Sequence, residues 1–372
     1  QTVVNTFQRL LHLSSLTTLQ VEGLFQPLKD GGFGFASAAH FSDAALAASW
    51  AACLPRLIAA TKAPSVEALT TCAPSLGAHL EKLDARVGGA LSRWTFAAPD
   101  DNSQQRPSQH SLAAAVREQA RDATLKAAPD DVAAAWLSCG GPCAGDFLKT
   151  PELPEHRLDD THYREAVRLR LHDEVLPAGL LCGMCGANSG PCNTPLDRYA
   201  THATCCTRGG YAVRKHDSLN KMLKSKLDQH GAGTCWLEQV TPQAREDPTL
   251  ARVDLVVCGI SGRTSRLDMV VTHALNEAPM RDRAAAKRAG VAAHLMEMRK
   301  RGLYPGVRLT PGVFETHGRV GPALLAFVRA SFAHLPQKER TAALKDTWQS
   351  LSATLQHHNA EMALRAAAPA WR

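Results

Sequence analysis

Two short apolar stretches in the second half of the chain each carry a single acid near the start. They read Arg-Val-Asp-Leu-Val-Val at 252–257 and Arg-Leu-Asp-Met-Val-Val at 266–271, so 13 residues separate Asp254 from Asp268. Both predict short strands. A carboxylate that leads into a buried strand costs free energy unless it binds a partner. The pair therefore indicates either a shared divalent cation or a surface hairpin with two solvated aspartates.

The first 175 residues or so predict helices. Apolar residues recur at helical spacing, and Ser42-Asp43 can cap an alanine-rich helix that favours close packing. The polar, proline-containing segment 97–110 predicts an exposed loop. The predicted helices are 3–12, 44–60, 111–127, 130–138 and 160–175.

The second half alternates helices and strands. This order is typical of an α/β fold in which a small mixed sheet is flanked by helices and carries the acids at its edge. The predicted helices are 214–228, 282–303, 320–334 and 337–357, and the predicted strands are 235–240, 252–257, 266–271 and 313–315.

Cysteines just ahead of this region have the spacing of a metal knuckle. Cys182-Gly-Met-Cys185 is followed by His202-Ala-Thr-Cys-Cys206. Two cysteines, a later histidine and a last cysteine can complete a tetrahedral zinc site, and four protein ligands would make that zinc structural. Cys192 and Cys205 are alternative ligands, and the other interpretation is a set of buried free cysteines.

Composition limits the classes of protein to be considered. The chain has 372 residues, 45% of them hydrophobic, which is enough for two or three domains with real cores. The net charge of +7 permits a polyanionic partner without requiring one. We expect no membrane span, because no run of about 18 apolar residues occurs. We also expect no secretory leader, and a chain that begins Gln-Thr-Val-Val is expected to be a piece of a longer protein.

The helix at 214–228 has one apolar and one basic side. We expect its basic side to hold a nucleic-acid backbone with strong salt dependence and without choosing a sequence. His216 is expected to contact a phosphate or the core rather than to act as a general base. The expected nucleic-acid contacts are Arg214, Lys215, His216, Lys221 and Lys224, and Lys226 belongs to the same basic face.

These features occur in an order that resembles a known family. The segment from about 175 to 335 is similar to the restriction-like endonuclease domain at the C-terminus of non-LTR, LINE-like retrotransposon polyproteins. The matching features are the knuckle of Cys182, Cys185, His202 and Cys206, then Gly209-Gly210, Lys215-His216-Asp217, Asp254, Asp268, Lys300-Arg301 with Tyr304, and Glu315-Thr-His-Gly-Arg-Val-Gly.

The upstream part resembles the thumb and linker that follow the polymerase core in such elements. Lys29-Asp-Gly-Gly-Phe-Gly-Phe and the alanine-rich 44–50 carry this weaker likeness, and the polymerase core itself is absent from the chain. The implied domains are a helical thumb or linker at 1–175, the zinc knuckle at 176–216, a restriction-like endonuclease domain at 217–335 and a C-terminal helix at 336–372.

The resemblance implies a nuclear protein that nicks target DNA so that reverse transcription can be primed there. Asp254 and Asp268 would hold Mg²⁺ or Mn²⁺, Glu238 would be a further ligand or an orienting group, and Lys300 would orient the nucleophile or the phosphate. The implied partners are target DNA, the element RNA and the reverse transcriptase core of the same polyprotein.

Two positions depart from the family pattern. Val253 replaces the proline before the first acid, and Val270 stands where many nucleases have a lysine, so activity depends on Lys300 reaching the site from its helix. Three functions follow: an active endonuclease, an inactive zinc-dependent nucleic-acid-binding module, or a helical scaffold with structural acids.

Overall fold

The computed structural model describes most of the chain, in two units. The described residues are 2–13, 15–62, 68, 71, 73–89, 91, 108–186, 190–240, 252–259, 262–304 and 308–367. The first unit comprises residues 17–26 and 34–128, and the second comprises 1–16, 27–33 and 129–372. The domain divisions predicted after 175, 216 and 335 all fall inside the second unit. Most of the predicted loop at 97–110 lies outside the described residues.

The first unit is helical. Its helices are α2 (Thr18–Phe25), α3 (Ala38–Thr61), α4 (Pro74–Arg86) and α5 (Gln109–Ala127). Small residues of α3 let the neighbouring helices approach closely, since Ala44 and Ala47 pack with Leu83 and Leu112 in its core. The side chain of Ser108 accepts a hydrogen bond from the backbone N–H of Ser111 and so caps α5. The predicted helices at 44–60 and 111–127 fall within α3 and α5.

The second unit is mixed. Its helices are α1 (Thr2–Leu11), α6 (Asp130–Cys139), α7 (Asp160–Arg170), α8 (Thr201–Cys205), α9 (Tyr211–Gln229), α10 (Glu277–Met280), α11 (Ala284–Lys287), α12 (Val291–Leu303), α13 (Pro322–Ser331) and α14 (Gln337–Ala367). Its strands are β1 (Cys185–Gly186), β2 (Gly190–Pro191), β3 (Gly233–Val240), β4 (Arg252–Gly259), β5 (Thr264–Thr272) and β6 (Leu309–Glu315).

Four of these strands form the small mixed sheet that the sequence predicts. Their order is β3-β4-β5-β6, with antiparallel pairing from β3 to β5 and parallel pairing between β5 and β6. β6 begins earlier than predicted and includes Pro311. Proline lacks an N–H but is tolerated there because β6 is the last strand of the sheet order. Gly312 fits beside Met269, where a Cβ would collide with the methionine side chain.

The single helix predicted at 282–303 is wrong. The segment contains the short α11 and then α12, which begins at Val291. Asp282 and Arg283 have left-handed φ values of 54° and 60°, and Gly290 has a φ of 77°, so regular α-helix geometry is interrupted twice. Alanine and charged residues on both sides of these breaks concealed them from a periodicity argument.

Helix α14 joins two parts of the core. Trp348, Leu351 and Leu355 pack with the sheet and with α9 and α13. Further along, Met362 and Ala363 pack around the cysteine-rich segment. A helix enclosed in this way is buried on several faces, which explains why it also buries polar side chains such as Asn359. The described residues contain no helix long and apolar enough to span a membrane.

Truncating Leu255 should strongly destabilise the second unit. Its side chain is fully buried in the centre of the sheet core. Leu255→Ala is expected to cost about 2–5 kcal/mol of unfolding free energy, measured by urea denaturation. Val256→Ala, at the half-buried neighbouring position, is the control and should cost less than about 1.5 kcal/mol. Equal losses in both variants would contradict the described strand orientation.

Candidate functional site

Asp254 and Asp268 stand opposite one another on adjacent strands. Leu255 of β4 pairs with Leu267 of β5, and the same register continued by one residue sets Asp254 against Asp268, whose carboxyl groups lie within hydrogen-bonding reach of each other. Residues at opposed positions share one side of the sheet. Because side chains alternate along a strand, the two acids project away from the core side that holds Leu255 and Leu267. The two acids that the sequence singles out therefore lie together.

Asp254 is ionised and accepts hydrogen bonds from two donors. Its Oδ2 accepts hydrogen bonds from His216 Nε2 at 3.0 Å and from the backbone N–H of Met269 at 2.5 Å. Burial alone would raise the pKa of Asp254, but His216, the Met269 N–H and Asp268 together outweigh burial and hold that pKa below its usual value. In return, the hydrogen bond to Asp254 raises the pKa of His216 to about 9. The two side chains form an ion pair at neutral pH.

Lys300 reaches the second acid from helix α12. Its Nζ donates to Asp268 Oδ2 at 2.8 Å. Burial raises the pKa of Asp268, the Lys300 hydrogen bond offsets part of the rise, and the charge of Asp254 adds to it. Burial and the proximity of Asp268 also raise the pKa of the Tyr304 phenol. The site is thus two close carboxylates with one cationic side chain beside each.

Glu238, the predicted additional ligand, has a different environment. It stands opposite Asp254 in the register of β3 and β4, but its backbone has a left-handed φ of 51° and its side chain is 66% exposed. Its carboxylate pairs with Arg252 at 3.7 Å. A distorted backbone has turned Glu238 toward solvent rather than toward the acidic pair, which periodicity alone could not predict.

The predicted basic face of α9 is only partly a surface. Arg214 is exposed and lies over the Tyr211 ring at 4.8 Å, and Lys221 is exposed. Lys224 is half-buried and paired with Asp228. These positions can face a polyanion in solution.

The prediction that Lys215 contacts a nucleic acid is wrong, because its side chain is buried and does not reach the surface. Its Nζ donates to Thr204 O at 2.7 Å and to Asn359 Oδ1 at 3.1 Å. Burial lowers its pKa to about 8. Lys226, also assigned to the basic face, is buried against Asp346 at 2.8 Å. Both lysines lie at helical spacing from buried leucines of α9, which is compatible with an inward position but does not determine it, because a lysine beside an apolar stripe can also extend to solvent.

Three cysteines and a histidine form a candidate metal centre. The donor atoms of Cys182, Cys192, His202 and Cys206 all lie within 4.8 Å of one another. Cys182 Sγ lies 3.8 Å from Cys206 Sγ, and Cys192 Sγ lies 3.4 Å from His202 Nε2. Asp197 holds the start of α8 by accepting from the backbone N–H of His202 at 3.0 Å. The donor set is compatible with zinc.

Cys192 takes the position expected for Cys185. The backbone of Cys192 donates to Met184 O, and that of Cys182 donates to Thr194 O, so the two segments run as an extended antiparallel pair. Alternation along such a pair turns Cys182 and Cys192 to one side and Cys185 to the other. Cys185 is exposed and bonds to Gly183 O at 3.2 Å. The two-residue gap in the sequence suggested a turn, and the extended backbone separates the cysteines instead.

The thiols differ in acidity. A hydrogen bond from the Thr194 hydroxyl lowers the pKa of Cys192 to about 6, whereas burial raises that of Cys206 to about 12 and also raises that of Cys182. Cys205 is exposed and bonds to Thr201 O at 3.2 Å. A metal in this cluster would have to displace protons from the two buried thiols, so its binding should strengthen with pH.

No protein-family model matches the chain. A search of curated proteins also gives no match. The geometry of the acidic pair and of the cysteine cluster therefore carries the functional argument.

Cys192→Ser should release metal and Cys185→Ser should not. Of these two cysteines, only Cys192 belongs to the four-residue cluster. Its loss should therefore lower the zinc bound at this centre in purified protein from about one per chain to near zero. Elemental analysis, together with the melting temperature, is the measurement. Loss of zinc from Cys185→Ser alone would restore the spacing-based assignment.

The His216–Asp254 pair should stabilise the fold only while His216 is protonated. The pKa of His216 rises from 6.5 to about 9 on folding, so the stabilisation is complete below about pH 6.5 and is lost as pH rises through 9. Its upper limit is about 3 kcal/mol at 1.36 kcal/mol per pKa unit.

The measurement is the unfolding free energy of wild type minus that of His216→Gln, in buffer without added divalent cations. The difference should be largest near about pH 6 and vanish by about pH 10. A difference that stays constant over this range would contradict the ion pair.

Proposed function

We propose that the chain is a Mg²⁺-dependent DNA endonuclease that nicks target DNA for target-primed reverse transcription of a retrotransposon. The observation that carries the proposal is the convergence of Asp254, Asp268 and Lys300, with Lys300 Nζ 2.8 Å from Asp268. Two adjacent carboxylates can hold a divalent cation that assists phosphodiester cleavage, and an ammonium group beside them can orient a phosphate.

The acidic pair suits an oxygen-preferring cation. The carboxyl groups of Asp254 and Asp268 lie close enough to share a hydrogen bond. Carboxylate oxygens are the ligands that Mg²⁺ and Mn²⁺ prefer, and no soft donor is needed. A cation bound there would lower the pKa of a coordinated water and neutralise charge on a scissile phosphate.

The protein groups around the pair have separate tasks in this proposal. His216 keeps Asp254 ionised through its hydrogen bond at 3.0 Å. Lys300 supplies a mobile point charge that can exchange its contact with Asp268 for one with a phosphate oxygen. Arg214 and Lys221, both exposed on α9, are suited to holding the DNA backbone without reading bases.

The wider setting follows from the resemblance alone. Element RNA and a reverse transcriptase core of the same polyprotein would be the other partners, and the nucleus the place of action. The cysteine cluster would hold a structural zinc, since four protein ligands leave no open position.

A catalytically inactive, zinc-dependent nucleic-acid-binding module is the second candidate. It is favoured by the ion-pair contacts that His216 and Lys300 make with one carboxylate each, because a carboxylate that already has a cationic partner has less need of a metal ion. Such a module would bind DNA through α9 without cutting it.

Nicking of supercoiled plasmid separates the two candidates. With Mg²⁺ or Mn²⁺, wild type should convert the plasmid to the open circle. Asp268→Asn and Lys300→Met should each lose about 100-fold or more in rate, the size typical of removing one preorganised group. Asp268→Asn should not lose thermal stability, because burial and the charge of Asp254 both disfavour the ionised form of Asp268.

Asp122→Asn is the matched control, since it removes the same charge from an exposed position in the first unit. It should nick at the wild-type rate. If wild type binds DNA but does not nick it with either metal, or if Asp268→Asn nicks equally well, the endonuclease proposal is wrong and the binding module remains.

A further inference from the structure

A second group of metal-ligating side chains lies where α7 begins beside α14. Donor atoms of Asp159, His162 and His357 all lie within 4.8 Å of one another. All three residues belong to the second unit, and none belongs to the cysteine cluster or the acidic pair. Helices of the core supply the two histidines, so the group is built on rigid elements rather than on a loop.

The carboxylate of Asp159 is held in place by the helix it caps. Its Oδ1 accepts from the backbone N–H groups of Thr161 and His162, each at 3.0 Å. Its Oδ2 accepts from His162 Nδ1 at 2.6 Å. One oxygen therefore fixes the carboxylate on the helix, and the other oxygen stands directly beside an imidazole nitrogen.

The second imidazole comes from α14. The rings of His162 and His357 stack with centroids 4.2 Å apart and an interplanar angle of 28°. Glu361, four residues after His357 and therefore on the same side of the helix, accepts from His162 Nε2 at 3.0 Å. His162 thus has one carboxylate on each ring nitrogen.

We propose that Asp159, His162 and His357 bind a divalent transition metal of the zinc class. The metal would be held by Asp159 Oδ2, His162 Nδ1 and one imidazole nitrogen of His357. Two imidazoles and a carboxylate are a donor set that zinc accepts. At His162 Nδ1 the metal replaces the hydrogen bond to Asp159.

Glu361 is the positioning residue of this site. Metal-bound histidines usually donate their other ring N–H to a carboxylate, which fixes the ring and the tautomer. The contact of Glu361 with His162 Nε2 provides that arrangement. Three protein ligands also leave a coordination position for water or a small exogenous ligand, which distinguishes this site from the closed four-ligand cysteine cluster.

The site is open to an entering ion. Asp159 is 60% exposed, and His357 lines a groove of about 430 Å³. The same contacts could instead be an ion-pair network that joins α7 to α14. The two explanations differ in one measurable respect, because only the metal site takes up an additional zinc per chain.

Zinc uptake by the full chain tests the proposal. Protein is equilibrated with Zn²⁺ alone, freed of unbound metal by gel filtration and assayed by elemental analysis. Wild type should hold one zinc per chain more than His357→Ala. Glu361→Gln should weaken this zinc by about 10–100-fold, the effect typical of losing a carboxylate that orients a ligand. Asp159→Asn keeps an oxygen that can cap α7 and should weaken it as well.

His358→Ala is the matched control, since it removes a histidine at the next position of the same helix and should retain the additional zinc. Cobalt substitution separates this site from the cysteine cluster. Thiolate-to-cobalt charge-transfer absorption can come only from the cysteines and should be unchanged in His357→Ala. Equal zinc content in wild type and His357→Ala, or equal loss in His357→Ala and His358→Ala, would overturn the proposal.

Discussion

Two carboxylates, those of Asp254 and Asp268, face one another across β4 and β5 with little access to water. Two like charges in such a position repel, and burial adds the cost of desolvation. The fold meets this constraint from two directions, with His216 of α9 beside one acid and Lys300 of α12 beside the other. The positions of α9 and α12 against the sheet therefore depend on the two carboxylates carried by its central strands, β4 and β5.

A second group of charged side chains, around the buried Lys226, illustrates an ion-pair network with a purely structural role. Lys226 Nζ contacts Glu155 and both oxygens of Asp346, and Asp346 also bonds to His156 and His230 at 2.9 Å. Lys226, His156 and His230 each contact a carboxylate, and the acids of this group do not stand opposed on neighbouring strands. The acidic pair differs, because Asp254 and Asp268 raise a conflict that their neighbours only partly resolve. Unresolved electrostatics of this kind are more typical of functional sites than of structural networks.

The local pattern of apolar and polar residues was sufficient to predict the features that depend on neighbours in the sequence. The short apolar stretches at 252–257 and 266–271 predict the two strands, and a short connection between them favours antiparallel pairing. The helices at 111–127 and 214–228 also follow from apolar spacing. The contact between Lys300 and Asp268 spans 32 residues, and it was expected only through the family resemblance, since no periodicity encodes it.

Features that depend on distant partners could not be read in the same way. Whether a lysine on an amphipathic helix is exposed depends on what faces it, and the acceptors of Lys215 and Lys226 include side chains of α14 more than a hundred residues away. Likewise, the choice between Cys185 and Cys192 depends on whether the backbone at Cys182 turns or extends, and spacing fits both. A metal ion bound by these cysteines would favour the backbone conformation that brings the most ligands to it. The extended pairing at Cys182 already brings four donors together, so metal binding there would reinforce this conformation rather than require a new one.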